Sequence, residues 1–386
     1  MNNNFGVIDL FSGCGGSAVG FEKAGLPIKV AVDIDKHASE SFKINFPNAE
    51  VFTNDISYIS GKELMKAGKF KNGNEVILIA CPPCQGFSNA RRNSERLTDP
   101  RNKLIYEFLR IVEEIKPYAF VLENVPGLAK NVGKPIFIQI LQRLQELGYQ
   151  TVYDVIDTAD YGVPQRRKRL VMLGTKDQKL RLTFPSKTNA DPAISSDLPP
   201  WKTVRQAIDD LLPIKAGQKL ETDAMHMSAN LSELNIKRMK QTPHDGGDRL
   251  SWSDDLVLEC HKNFEGHRDV YGRMRWDSPS PTITGGCAMV SKGRFGHPEQ
   301  NRAISLREAA RLQTFPDNFK FIGNFGQIAK QLGNAVPPLL GEIAAKTLLK
   351  SISDLKAAKK LVPKRKISRN IYRSNQLNGQ IISRTT

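Results

Sequence analysis

Val-Ile-Leu-Ile-Ala-Cys-Pro-Pro-Cys-Gln-Gly-Phe-Ser, at residues 76–88, is the most informative segment of the chain. The apolar run from Val76 to Ala80 predicts a fully buried strand, and the two prolines end it. In an open α/β sheet, ligands bind beyond the carboxyl ends of the strands. Cys84 therefore stands where a nucleophilic thiol would meet a substrate.

The composition is that of a large, basic protein. Its 386 residues, 40% of them hydrophobic, can bury a core and form one or two domains. The formal net charge of +16 favours a polyanionic partner, nucleic acid before an anionic membrane surface, although a generally basic soluble protein would have the same charge. Five cysteines do not make a disulfide framework in a chain of this length. We find neither a signal peptide nor an apolar stretch of membrane-spanning length, so we expect a cytoplasmic protein.

The amino-terminal segment has the pattern strand, glycine turn, helix. Phe5 to Phe11 is a buried-strand run, Ser12-Gly13-Cys14-Gly15-Gly16 forms the turn, and Ser17 to Ala24 has helical spacing. This pattern is typical of the first strand–turn–helix unit of a nucleotide-binding, doubly wound sheet. The glycines let the backbone approach a ligand closely, and the amino end of the helix favours negative charge. The spacing does not match the dinucleotide pattern G-x-G-x-x-G, and a plain tight turn would look the same.

Two further strand ends carry carboxylates. The strand Ile28 to Val32 is followed by Asp33, about 20 residues after the glycine turn, where an acidic residue grips ribose hydroxyls. Asp33 could instead cap the next helix, a role that Asp35 could also fill. Asp55, after the third strand, could accept from an adenine amino group with Ile56 packed on the ring, or lie in a solvated turn. Together these strand ends favour an adenosine-containing cofactor.

Charged residues also follow the later strands. Glu123 ends another apolar strand and would face the same crevice as Cys84, where its carboxyl group could donate a proton, unless it only caps the next segment. Gln165-Arg166-Arg167-Lys168-Arg169 lies between two strands, Thr151 to Asp157 and Leu170 to Leu173, which we predict to form a hairpin. Some of these basic side chains must point into the protein or its cleft, although charge runs are usually solvated.

The composition divides the chain into four parts. Residues 1–176 have the strand and helix pattern of a doubly wound, Rossmann-like α/β domain, and 177–300 are loop-rich, which predicts a second, smaller domain. Regular apolar spacing returns in 301–350, which we assign to the first domain. Residues 351–386 form a basic tail that we expect to be disordered, whether it adds phosphate contacts or only solubility.

The loop after Cys84 is polar and basic. Ser88, Arg91 and Arg92 suit it to closing on an anionic substrate, although a plain solvated connection has a similar composition.

Cys81-Pro82-Pro83-Cys84 also has the form C-x-x-C. A dithiol redox site usually has its first cysteine at a helix amino end in a thioredoxin-like domain, whereas this pair ends a strand in a large α/β domain. Zinc would need two more ligands, and Cys260-His261 offers them at a spacing that matches no standard pattern. We therefore expect no metal site.

Six short segments are informative through their order and spacing. They are Asp9-Leu10-Phe11-Ser12-Gly13-Cys14-Gly15-Gly16, Pro83-Cys84-Gln85-Gly86-Phe87-Ser88, Glu123-Asn124-Val125, Gln165-Arg166-Arg167-Lys168-Arg169, Arg307-Glu308-Ala309-Ala310-Arg311-Leu312-Gln313-Thr314-Phe315-Pro316 and Gly333-Asn334-Ala335-Val336-Pro337. Each alone is a weak signal. All six in this order resemble the bacterial DNA cytosine-5 methyltransferases of type II restriction–modification systems, over roughly residues 5–349.

The resemblance implies a cofactor, a substrate and residue roles. The cofactor would be S-adenosylmethionine, with S-adenosylhomocysteine as its product, and the substrate double-stranded DNA. Cys84 would attack carbon 6 of a flipped-out cytosine, and Glu123 would protonate or hydrogen-bond its nitrogen 3. Arg167 and Arg169 would hold the base. The cofactor-binding residues would be Phe11, Gly13, Gly15, Asp33, Ile34, Asp55, Ile56, Pro83, Asn334 and Val336.

The loop-rich part would then be a target-recognition domain. We assign to DNA binding Ser88, Arg91, Arg92, Gln165, Arg273 and Arg275. Two residues depart from the family pattern, since Cys81 stands where glycine is usual and Ile34 where a large aromatic is common; neither removes chemistry. We expect a monomer, with any cognate endonuclease acting separately.

Three alternatives compete with this interpretation. An RNA methyltransferase of the same architecture would carry a Cys-Phe-Thr signature that this chain lacks. A catalytically silent DNA-binding relative would not need Cys84, Glu123 and Arg169. A nicotinamide oxidoreductase would need a different spacing in the glycine turn.

Overall fold

A mixed seven-stranded sheet forms the centre of the protein, with the strand order β3-β2-β1-β4-β5-β7-β6. The computed structural model describes residues 5–83, 100–130, 133–262, 266 and 268–361. The first five strands run parallel, whereas β6 and β7 form the predicted hairpin and β7 pairs antiparallel with β5. The strands are β1 (Gly6–Leu10), β2 (Ile28–Val32), β3 (Glu50–Phe52), β4 (Val76–Ala80), β5 (Ala119–Asn124), β6 (Gln150–Asp157) and β7 (Lys168–Thr175).

Helices cover both faces of the sheet, which confirms the α/β class. In α4 the buried residues Ile105, Phe108 and Val112 recur at helical spacing and form the stripe that packs on the strands. The helices are α1 (Gly16–Lys23), α2 (Lys36–Asn45), α3 (Gly61–Ala67), α4 (Leu104–Ile115), α5 (Lys134–Glu146), α6 (Val204–Ile208), α7 (Glu233–Gln241), α8 (Leu306–Leu312), α9 (Phe325–Asn334) and α10 (Pro338–Leu361).

The central strands are buried on both sides. Every residue of β4 is buried, and successive side chains alternate between two apolar clusters: Ile77 and Ile79 contribute to one, Leu78 and Ala80 to the other. This two-sided burial explains why the strand has a continuous apolar run rather than an alternating pattern. It leaves the polar residues that follow the strands at one edge of the sheet.

The loop-rich part has a small apolar cluster of its own, made by Met239, Trp252, Leu256, Tyr271, Val290 and Ala303. Residues soon after 177, such as Leu180 and Val204, instead pack in the main cluster, so the boundary at 177 stays a prediction. Helix α10 continues to Leu361. The disorder expected from 351 is therefore wrong up to that residue, and 362–386 lie outside the described residues.

Candidate active site

A cavity of about 780 Å³ lies at the carboxyl ends of β1, β2, β4 and β5. Parallel strands deliver their carboxyl ends to one edge of a sheet, so segments far apart in sequence meet here. The residues predicted from the sequence that line this cavity are Phe11, Gly13, Asp33, Ile34, Asp55, Ile56, Pro83, Glu123, Arg167, Arg169, Asn334 and Val336. The cavity thus joins the predicted cofactor residues to the predicted catalytic ones.

The glycine turn is tied to the end of β2 by a carboxylate. Asp33 accepts from the backbone N–H of Gly13 at 2.7 Å through Oδ2 and from that of Asp35 at 2.8 Å through Oδ1. Burial raises the pKa of Asp33. Phe11 has a φ of 57°, a left-handed conformation that costs about 1–2 kcal/mol for a residue with a side chain. Such strain is typical of a functional turn.

Gly15 does not line the cavity but shapes the turn from behind. Its φ is 99°, and a β-carbon there would lie 2.6 Å from the ring of Phe46. The turn therefore needs glycine at this position, although the predicted direct cofactor contact of Gly15 lacks support.

Asp35, not Asp33, caps helix α2. Its Oδ1 accepts from the backbone N–H groups of His37 and Ala38, and its Oδ2 lies 2.8 Å from Nζ of Lys330. Asp33 is therefore free of the capping role that the sequence left open. Ile34, between them, is 69% exposed although it lines the cavity, which makes it an apolar surface available to a ligand.

Glu123 and Arg169, which both line the cavity, form an ion pair. Nε of Arg169 lies 2.7 Å from Oε1 of Glu123, and the two side chains are only 14% and 13% exposed. The pairing follows from the sheet: Glu123 lies opposite Val171 in the antiparallel β5–β7 ladder, so Arg169 is its diagonal neighbour on the same face. The contact is an ion pair rather than a well-aligned hydrogen bond.

Arg167 is buried in the wall between the cavity and a neighbouring segment. Its terminal nitrogens donate to the carbonyl of Ile283 at 3.0 Å and to that of Gly333 at 3.3 Å. Burial lowers the pKa of Arg167 to about 9, and the positive charge of Arg169 contributes. These contacts indicate that Arg167 positions backbone segments, and its predicted hold on the base stays a prediction.

The chain leaves β4 through a segment held by β5. Nδ2 of Asn124 donates to the carbonyl of Pro82 at 3.1 Å, which orients the two prolines toward the cavity. The predicted nucleophile and the basic loop after it lie outside the described residues; they are Cys84, Ser88, Arg91 and Arg92. Pro83, the last described residue before them, lines the cavity.

Cys81 has the properties of an unreactive thiol. Burial raises its pKa well above the usual range, and the negative charges of Glu123 and Asp9 raise it further. Redox-active C-x-x-C pairs depend on a lowered cysteine pKa. The environment of Cys81 thus disfavours the dithiol alternative.

Comparison with known proteins identifies the family. Residues 5–350 match the family model of the C-5 cytosine-specific DNA methylases. The chain belongs to this family. The type II methylase M.HgiDII of Herpetosiphon aurantiacus is 36% identical to it, covering 90% of this chain and 96% of that protein. The type II methyltransferase M1.HphI of Haemophilus parahaemolyticus is 35% identical, covering 89% and 86% respectively.

Solved structures agree with this assignment. A prophage-encoded E. coli protein described as a DNA modification methyltransferase has a TM-score of 0.65 at 27% identity, covering 90% of this chain and 99% of that one. The DNMT2 mutant of Spodoptera frugiperda, with a TM-score of 0.60 at 18% identity over 89% of this chain, shows a common fold only. The chain is therefore a DNA (cytosine-5-)-methyltransferase of the type II kind.

Two residues that we assigned to DNA binding in this methyltransferase are buried, and that assignment is wrong for both. Arg273 is fully buried and donates to four backbone carbonyls and to the side-chain oxygen of Asn301, so it organises loops rather than reading bases. Gln165 is also fully buried, bonded to Ile283 and Gln313. Arg275 is exposed, and its contact with DNA stays a prediction.

Sequence reasoning missed part of the methyltransferase cavity. Its wall includes Thr282, Ile283, Thr284 and Gly285 from the loop-rich part and Lys330 from α9. Lys330 had no local signal, because its partner Asp35 is 295 positions away. Within the described residues, no helix combines the length and apolar character needed to cross a bilayer. The same residues contain no group of three or more His, Cys, Asp or Glu side chains placed to hold a metal ion.

Proposed function

We propose that this methyltransferase transfers a methyl group from S-adenosylmethionine to carbon 5 of a cytosine within a short, specific duplex sequence. Host DNA modified in this way would resist a cognate restriction endonuclease that acts separately. The observation that carries the proposal is that one cavity is lined both by Asp33 with the glycine turn and by the Glu123–Arg169 pair. A cofactor and a base held at these two places would meet within it.

The residues of the cofactor side fit S-adenosylmethionine. Each oxygen of Asp33 accepts one backbone N–H, and a carboxylate has further lone pairs for the ribose hydroxyls. Ile34 offers an exposed apolar face for adenine, and Asp55 supplies a carboxylate near its rim. Phe11, Gly13, Ile56, Pro83, Asn334 and Val336 would complete the enclosure.

The catalytic side would prepare the base. The Cys84 thiolate adds to carbon 6, and the electron pair of the 5,6 double bond becomes available at carbon 5. Arg169 contacts Oε1 of Glu123, and we assign the other oxygen, Oε2, to nitrogen 3, where a proton or hydrogen bond prevents negative charge from accumulating. When bound, S-adenosylmethionine would supply an electrophilic methyl group to carbon 5; the electron pair of the broken sulfur–methyl bond would stay on sulfur, and S-adenosylhomocysteine would leave. Loss of the carbon-5 proton to a base then restores the double bond as Cys84 leaves.

The substrate would be double-stranded DNA with the cytosine flipped out of the stack. Carbon 6 is unreachable inside a duplex, and extrusion costs a few kcal/mol. The formal net charge of +16 supports phosphate binding. We propose that Ser88, Arg91 and Arg92 contact the DNA, that the loop-rich part recognises the target, and that the enzyme acts as a monomer.

The test uses labelled S-adenosylmethionine with mixed-sequence duplex DNA or tRNA, followed by mapping of the modified bases. We expect label at carbon 5 of cytosine within one short DNA motif, and no transfer by Cys84→Ala. Label only in tRNA would replace the proposal by RNA methylation. Tight DNA binding without transfer would indicate a silent relative.

A further inference from the structure

One residue of the loop-rich part, Ile283, has both of its backbone polar groups bound by side chains from the hairpin region. Its N–H donates to Oε1 of Gln165 at 2.9 Å, and its carbonyl accepts from Arg167 at 3.0 Å. Ile283 and Gln165 are fully buried and Arg167 nearly so, so water does not compete for these bonds. Residues 280–285 are here called the linking segment. Two buried hydrogen bonds at Ile283 hold this segment near its middle.

The two side chains that bind Ile283 are also connected by hydrogen bonds to the end of helix α9. Nε2 of Gln165 donates to Oε1 of Gln313 at 2.8 Å, and Nε2 of Gln313 donates to the carbonyl of Leu332. In parallel, Arg167 reaches the carbonyl of Gly333 at 3.3 Å. Two separate chains of hydrogen bonds therefore run from Ile283 to adjacent carbonyls of α9.

The end of α9 belongs to the cofactor side of the cavity. Asn334 and Val336 follow directly and line it. The linking segment also touches this end without a side chain between them: a β-carbon on Gly333 would lie 2.0 Å from the backbone nitrogen of Gly285. A shift of one backbone by a few tenths of an ångström must therefore move the other, because packed interiors do not absorb such displacements.

Gln165 and Gln313 can transmit a shift because each binds one neighbour through its amide oxygen and another through its amide nitrogen. Gln165 and Gln313 each accept one hydrogen bond and donate another, and both are fully buried. Separating any two members would leave buried polar atoms without their partners, which is costly, since the two amide groups would keep only long contacts of 3.5 Å to the carbonyls of Leu312 and Ala335. This chain of hydrogen bonds, here called the relay, therefore passes a displacement from one end to the other rather than absorbing it by breaking.

We propose that Gln165 and Gln313 are positioning residues that couple cofactor binding to the linking segment, so that filling the cofactor pocket prepares the target-recognition part for DNA. The coupling rests on the proposed function, because it needs S-adenosylmethionine or its product at Asn334 and Val336. By reciprocity, DNA bound to the recognition part would tighten the cofactor. Neither glutamine lines the cavity.

Hydrogen exchange of the full chain, followed by mass spectrometry, tests the coupling without DNA. S-adenosylhomocysteine at about 100 times its Kd can slow exchange by up to about 100-fold at amides that open together with its site. In the wild type we expect slower exchange in residues 9–35, in 332–336 and in the linking segment. In Gln313→Met, residues 9–35 and 332–336 should still respond. The response of the linking segment should be at least about threefold smaller than in the wild type, because only Arg167 and the Gly333–Gly285 contact still connect it to α9.

Gln331→Met is the matched control. Gln331 is another buried glutamine of α9, but it binds Ser41 and the carbonyl of Ile322 and not the linking segment. Because Gln331 also lines the cavity, S-adenosylhomocysteine is held at about 100 times the Kd of each variant. Gln331→Met should lose a similar number of hydrogen bonds and keep the response of the linking segment. If Gln313→Met does not fold, Gln165→Met breaks the same relay one bond earlier and carries the same expectation.

The outcomes separate the coupling from the proposed function. Slower exchange at residues 9–35 and 332–336 of the wild type, with none in the linking segment, would overturn the coupling alone. A full response in Gln313→Met, or an equal loss in Gln331→Met, would also overturn it. No response anywhere in the wild type would overturn the cofactor assignment together with the coupling.

Discussion

Arg169→Gln tests the ion pair on which the proposed chemistry depends. With 2.7 Å between Nε and Oε1 of Glu123, the two charge centres lie about 4 Å apart, which corresponds to about 4 kcal/mol at an effective dielectric constant of 20. Removing one partner of a buried pair costs about 3–5 kcal/mol, and the residual exposure of 14% and 13% places this pair at the lower end. A loss of about 3 kcal/mol in the transition state lowers the rate about 100-fold.

Single-turnover transfer of labelled methyl groups to mixed-sequence duplex DNA measures the effect. Arg166→Gln is the control, because Arg166 lies in the same basic segment but pairs with Asp157 instead of Glu123. The Arg166 side chain is 46% exposed, so water can replace much of the lost contact. Both variants lose one positive charge, so a general weakening of DNA binding affects them equally. A rate for Arg169→Gln within fivefold of the wild type, or equal losses in both variants, would refute the reasoning.

Three further predictions concern pH, cofactor and thiols. Burial lowers the pKa of His297 from 6.5 to about 4, so between these pH values the unfolded chain binds a proton that the folded chain does not. The free energy of unfolding should therefore fall by about 3 kcal/mol as the pH falls from 6.5 to 4. Urea titrations at several pH values should show a smaller decrease in the free energy of unfolding for His297→Asn. Asp33→Asn leaves one of two backbone N–H groups without its acceptor and should raise the KM for S-adenosylmethionine about 10- to 100-fold; calorimetry that shows unchanged cofactor affinity would contradict this. A maleimide at about pH 7.5 should label Cys84 and the exposed Cys260. It should not label the buried Cys14 and Cys287, nor the half-buried Cys81, whose raised pKa disfavours the reactive thiolate. In Cys260→Ser, mass spectrometry should therefore find one label per inactivated molecule, and a second label would count against the assignment.

The basic segment at 166–169 shows that the local sequence predicts inward-pointing side chains but not the groups that they contact. Because the segment lies between two core strands, some of its basic side chains were expected to point into the protein or its cleft. The structure has Arg167 and Arg169 inside and Arg166 and Lys168 exposed. Alternation alone does not say what each inward guanidinium meets. One contacts a carboxylate from β5, and the other contacts carbonyls more than 100 residues away, at positions 283 and 333.

Arg273 marks the point at which composition misleads. An arginine among loops, in a basic protein, was expected to meet DNA, yet the end of α7 and loops up to residue 301 surround it and accept hydrogen bonds from its guanidinium. No residue near Arg273 in the sequence announces this burial, because the carbonyls arrive from separate turns. Burying a guanidinium is tolerable only when such partners are assembled around it.

The amino-acid sequence by itself determined the order of strands and helices, the glycine turn, the strand ends that carry Asp33 and Glu123, and the family. These features depend on apolar periodicity, on glycine and proline, and on short motifs, each of which is encoded within about ten neighbouring residues. Only the tertiary structure decided that Glu123 pairs with Arg169 and that Gln165 and Gln313 connect Ile283 to α9. Those outcomes depend on which distant backbone and side-chain groups meet in the buried interior, where an unpaired polar group is costly.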